Sequence, residues 1–310
     1  MPFKRQIQLA PDRARLIGGL AHMKLSKRFA TATAAICAIA AGSPLLANHS
    51  WSTYHWVRTS NEITVPVTYN TTGIWAQRNH TGIAVADWNV SPYIEAPMVR
   101  GNADPACAIV RDEINVCNDD YGSVGWLGLA RITISSGHIT GGATLLNDYY
   151  FNQDRYNNDV WRQLVMCQEI GHDYGLGHQN ENFSTDVTTS CMEYTSQPAG
   201  NEGPDQHDYD QLALIYAHRE GGDTGDGGGG KPGKGGGKGG GKPNKFDVGN
   251  TPAHWGTPIG RDAQGRPNLY KRSMASFDVI THVTWAIGEG PDGHHDHEEG
   301  PRQHKGDHHF

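Results

Sequence analysis

Between Glu62 and Tyr69 the apolar side chains Ile63, Val65, Val67 and Tyr69 alternate, which is the two-residue period of a half-buried strand. Pro66 points the other way and has no amide hydrogen, so this strand is expected at an edge or a bulge. Residues 81–89 carry Ile83, Ala84 and Trp88 and read as a short helix. Short strands are expected near 93–99 and 113–117, followed by a better one over 129–135 with Ile132 and Ile134 inward. From Asn158 the period becomes helical, with Val160, Trp161, Leu164 and Val165 on one stripe that Gln168 continues. Another helix falls within 204–218, where Tyr209, Leu212, Ala213 and Tyr216 line up. Asp205 and Asp208 have capping-box spacing there, with Asp in place of the usual Glu or Gln.

Past this helix the pattern lapses. Residues 221–245 are rich in glycine with recurring lysine and cannot bury a core, so they are expected to be a flexible linker. Residues 246–287 regain apolar positions at Phe277, Val279, Ile280, Val283 and Trp285, and a small β appendage is expected. Residues 288–310 are polar, with His294, His295, His297, His304, His308 and His309, and read as a disordered tail that holds metal loosely at most.

Composition narrows the setting. A net charge of −7 argues against general nucleic-acid binding. Residues 23–47 have a basic start, an apolar run from Ala30 to Ala41 and a cleavage-compatible Leu45-Leu46-Ala47, so a signal peptide is expected, with 1–22 an extension or a mis-assigned start. The apolar run is too short for a membrane span, and Ile36 before Cys37 excludes a lipoprotein signal. Removing Cys37 with the signal leaves four cysteines, an even number that suits an oxidising, secreted or periplasmic setting. A monomer is expected.

The chemistry concentrates in residues 168–178, Gln-Glu-Ile-Gly-His-Asp-Tyr-Gly-Leu-Gly-His. Residues four apart on a helix differ by only about 40° in direction, so Gln168 and His172 share a face with Glu169 beside them. Two ligands at that spacing with an adjacent carboxylate suit zinc and an activated water. Gly175 and Gly177 permit the helix to stop and the chain to return His178 toward the same point. Downstream, Ser190-Cys191-Met192-Glu193-Tyr194 has the Met-x-Tyr spacing of a methionine turn.

These linked motifs, with the capped helix after them, resemble the metzincin clan of zinc endopeptidases, nearest its secreted matrixin-like members, over residues 48–218. The resemblance implies an α+β catalytic domain at 48–220: a twisted mixed sheet, an active-site helix, a Met-turn and a C-terminal helix. It implies one catalytic Zn2+ on His172 and His178, Glu169 as the proton acceptor, Tyr194 as oxyanion stabiliser and Met192 as a hydrophobic floor. It also implies a peptide or protein substrate paired to an edge strand, for which 129–136 is the candidate. Cys167 and Cys191 each adjoin a motif position that this fold brings together, which suggests their pairing and leaves Cys107 with Cys117 across a hairpin. The family pattern has histidine where this chain has Gln168. Its amide oxygen as a weaker third ligand, another donor such as Tyr194, and a metal-free site are the three readings left open. The alternative to an enzyme is a non-catalytic exported protein of the same fold that binds peptide, polymer or metal. His138 and the Asn118-Asp119-Asp120 turn are candidates for secondary zinc or calcium sites, but neither has the spacing of a known ligand loop, so both are read as solvated turns and Ca2+ has no further support.

Overall fold

A computed structural model describes residues 49–182, 189–220 and 246–291. The expected N-terminal extension, signal peptide, linker and tail histidines lie outside them. Strands β1 (His55–Trp56), β2 (Ile63–Thr64) and β3 (Val67–Tyr69) precede helices α1 (Gly73–Gln77) and α2 (His80–Trp88). Then come β4 (Ile94–Glu95), β5 (Met98–Arg100), β6 (Val110–Arg111) and β7 (Ile114–Asp119), and the long pair β8 (Trp126–Ser135) and β9 (His138–Asn147). Helices α3 (Asp148–Phe151), α4 (Asp159–Asp173) and α5 (Gln206–Ile215) follow, and β10 (Thr257–Arg261), β11 (Pro267–Ser273) and β12 (Asp278–Trp285) complete the order.

The class is α+β, built on a mixed sheet in the order β10-β11-β12-β8-β9-β7-β3-β5, with β1 and β6 also paired to β9. Strands β5, β3, β7 and β9 run parallel, whereas β8, β12, β11 and β10 add antiparallel. Hydrophobic burial on both faces holds this sheet. One face packs Ile132, Ile134 and Ile280 against Trp88, Val165, Ile170 and Met192 from the helices and the Met-turn. The opposite face packs Leu129, Leu145, Val279 and Val283 against Trp255, Trp285 and Val248.

Several expectations change. Pro66 splits the first strand, so β2 pairs with β4 apart from the main sheet while β3 joins it between β5 and β7. Ile83 faces solvent from α2, and Ala84, Val85 and Trp88 carry its buried side. The sequence reading has no strand at β9, whose interior holds Gly141 and Gly142. Its hairpin turn, Ser136-Gly137, has φ of 53° and 86°, the paired positive values that a tight two-residue connection requires.

A larger correction concerns β8. The candidate peptide-receiving edge at 129–136 is an interior strand, bonded to β9 on one side and β12 on the other. The reason lies in the C-terminal segment, which is no separate appendage: it extends the main sheet by three strands, beginning at β12.

Two disulfides, Cys107–Cys117 and Cys167–Cys191, cross-link the described residues. The first is not a hairpin bridge, because β6 pairs with β9 and not with β7. The second ties α4 to the Met-turn. Closing a loop of this size restricts the unfolded chain by about 3 kcal/mol. Replacing Cys167 and Cys191 together by serine is therefore expected to lower unfolding free energy by about that amount, measured by denaturant titration without reductant.

Candidate metal centre

Helix α4 begins where Asn158 accepts a hydrogen bond from the Trp161 amide at 2.9 Å, with Asp159 favourably placed in the first turn. It ends at Gly175, whose φ of 93° only glycine adopts cheaply and whose missing Cβ would lie 2.5 Å from the Tyr54 carbonyl. Gly177 serves differently from expectation. It has no positive φ, and its amide hydrogen-bonds the His49 carbonyl at a close approach. The chain thus turns back and sets His178 Nε2 3.1 Å from His172 Nε2.

Hydrogen bonding fixes what those nitrogens present. His172 Nδ1 lies 2.8 Å from the Leu176 carbonyl, which can only accept, so Nδ1 carries the proton. His178 Nδ1 lies 3.2 Å from Glu181 Oε1, a carboxylate that likewise accepts. With Nδ1 the donor on each ring, the two Nε2 atoms are the ones that face each other. Burial, reinforced by the neighbouring imidazole, holds His172 well below the usual histidine pKa, so a proton is a poor filler for that gap. Trp51 stacks on the His172 ring at 4.8 Å and holds it in place.

The third imidazole comes from β12. One nitrogen each of His172, His178 and His282 lie within 4.8 Å of one another. His282 is opposite Ala130 of β8, on the sheet face that looks toward α4, and its ring is 3.9 Å from that of His172. Burial and the two adjacent imidazoles keep it neutral as well.

Gln168, expected as a ligand, is engaged elsewhere. Its Nε2 donates to the carbonyls of Cys191 at 2.8 Å and Glu193 at 3.3 Å, and its Oε1 accepts from Thr284 at 2.8 Å. The amide therefore fastens α4 to the Met-turn and to β12. Sequence reasoning missed His282, although the signal was present. His282 and Thr284 alternate with Val279, Val283 and Trp285, which sends both polar side chains to the face opposite those apolar residues.

Glu169 is fully buried against β8. A Cβ on Gly128 would meet its Oε1 at 2.7 Å, so glycine is what lets the carboxylate reach the sheet. Burial pushes this carboxyl well above its usual pKa, partly opposed by the Thr284 hydroxyl, and His282 Nδ1 stands 3.6 Å from Oε2. Tyr194 lays its ring 4.1 Å from that of His178, with its hydroxyl 3.3 Å from His282 Nε2 and 3.2 Å from Asn268 Nδ2. Its burial keeps the phenol protonated. Met192 is fully buried, and a Cβ on Gly171 would meet its sulfur at 2.6 Å, so the Met-turn packs directly under the helix.

This donor set fits zinc. Imidazole nitrogens on a tetrahedral zinc ion are about 3.3 Å apart, close to the observed His172–His178 spacing, and each of those two rings has its outer nitrogen anchored. Asn118 of the suspected calcium turn instead hydrogen-bonds Asp148 and the Thr72 amide.

No family model matches the chain, and neither does any curated protein. Among solved structures, high choriolytic enzyme 1, a hatching-enzyme zinc protease from the medaka fish Oryzias latipes, aligns with 14% identity and a TM-score of 0.31, over 53% of this chain and 95% of that one. Myroilysin aligns with 14% identity and a TM-score of 0.32, over 55% of this chain and 98% of that one. At such TM-scores neither likeness bears on function.

If His282 and not Gln168 is the third donor, His282→Ala weakens zinc binding by about tenfold or more, as loss of a ligand or its support does. Gln168→Ala instead costs about 1–3 kcal/mol of stability and leaves zinc content unchanged, and Gln168→His does not tighten binding. Chelator competition and denaturant titration on the three variants check this.

Proposed function

We propose that the chain is a secreted zinc-dependent endopeptidase of metzincin type, with His172, His178 and His282 as the metal donors. The supporting observation is the convergence of the imidazoles of His172, His178 and His282 beside the buried carboxyl group of Glu169. When bound, zinc supplies Lewis-acid polarisation of a carbonyl and lowers the pKa of water. Glu169 takes up a proton at its carboxylate and returns it to the leaving amine, a role suited to a carboxyl whose pKa burial has raised. Tyr194 keeps its hydroxyl proton at neutral pH and offers it as a hydrogen bond to developing negative charge. Trp51, Met192 and the Cys167–Cys191 bridge hold the donors in position. Export is supported by the sequence of residues 23–47 and by the two disulfides.

Strand β12 occupies the side of β8 on which a peptide would add, so β8 does not receive a substrate strand in this fold. The same observation favours a second reading, a non-catalytic fold clamped by metal, because the strand that closes the site also brings His282. Zinc content and cleavage of a quenched-fluorescent peptide library separate the two. For an enzyme, Glu169→Gln keeps its zinc and loses cleavage by about a hundredfold or more. Cleavage that survives in Glu169→Gln removes the assigned mechanism. A zinc-loaded wild-type chain that cleaves nothing leaves the non-catalytic reading.

A further inference from the structure

A second group of donors gathers where β1, the start of β9 and the chain beyond α5 meet. His55 is aligned with His138 across the β1–β9 ladder, and His218 and Glu220 follow α5. Glu220 Oε1 lies 2.8 Å from His55 Nε2 and 3.1 Å from His218 Nε2, and those two nitrogens are themselves 3.1 Å apart. None of these residues belongs to the site built around His172.

The chemistry of each atom matters more than the proximity. His55 Nδ1 lies 2.6 Å from the Thr53 carbonyl, so Nδ1 holds a hydrogen and Nε2 is the nitrogen turned inward. Glu220 is held at both ends against one residue: its Oε2 accepts from the Arg58 amide at 2.6 Å, and its own amide donates to the Arg58 carbonyl at 2.9 Å. The remaining oxygen, Oε1, is left to face the histidines. His138 turns a buried Nδ1, which has no hydrogen-bond partner, toward the same Oε1 at 3.8 Å. An oxygen and two nitrogens therefore meet within 3.1 Å of one another with a third nitrogen alongside, an arrangement that can hold a cation at its centre. Imidazole with a single carboxylate selects a borderline transition metal over Ca2+ or Mg2+, which demand oxygen shells. The His218 side chain is 55% exposed, so the group opens to solvent and a metal could enter without rearrangement of the core.

We propose that His55, His218 and Glu220, with His138 as a fourth donor, form a second metal site for Zn2+ or a similar divalent ion. The experiment is zinc titration of the full chain and its variants, counting tight equivalents after exchange against a weak chelator. Wild type is expected to retain about one equivalent more than His218→Ala, Glu220→Gln or the His55→Ala/His218→Ala pair. Because His218 is largely exposed, its single variant keeps the fold, and circular dichroism verifies this. In a His172→Ala/His282→Ala background the second equivalent should persist, and adding His218→Ala should remove it. Equal zinc counts in wild type and His218→Ala would overturn the proposal, leaving only a protonated His55 paired with Glu220. Loss of the equivalent in the His172→Ala/His282→Ala background alone would overturn it too.

Discussion

The antiparallel ladder between β8 and β12 is the contact on which most of the architecture rests. It continues the sheet past the strand where the sequence suggested an edge, and it gives the second hydrophobic core Val279, Val283 and Trp285. Its other face brings His282 and Thr284 to α4. Register is what makes this work. A slip of one residue would exchange the two faces, placing Val283 among the imidazoles and His282 against the apolar cover.

Around that ladder the helix end is assembled from small residues at the points of closest approach. Gly128 admits Glu169, Gly171 admits Met192 and Trp88, and Gly175 turns the chain. Each removes a side chain where backbone or a functional group must come near, so the centre is densely packed. Desolvation of this kind raises the carboxyl pKa of Glu169 and lowers those of His172 and His282. The charge states compatible with metal binding and the packing thus share one cause.

Local signals made part of this legible in the sequence. Helix α4, the capping box of Asp205 and Asp208 and the glycine turn before His178 each depend on neighbours within a few positions, and the structure places them as read. Contacts between distant segments were much less visible. Gln168 occupies a ligand position in the helical repeat, which makes it a candidate donor, but its amide is satisfied by the Met-turn and Thr284, which periodicity within α4 cannot reveal. His282 was passed over because the apolar neighbours of β12 suggested an appendage, and no local rule assigns such a strand to β8. The same limit hid the gathering of His55, His138 and His218, which lie far apart in sequence.

The position of β12 along the chain also orders the events of synthesis. Every residue of β8 leaves the ribosome long before Asp278–Trp285 does, so a nascent chain carries an uncapped sheet margin until β12 has been made. Over that interval His172 and His178 have no third imidazole beside them. Assembly of the three-imidazole cluster accordingly waits for β12, and a product terminated before residue 278 would combine an exposed strand edge with an incomplete donor set.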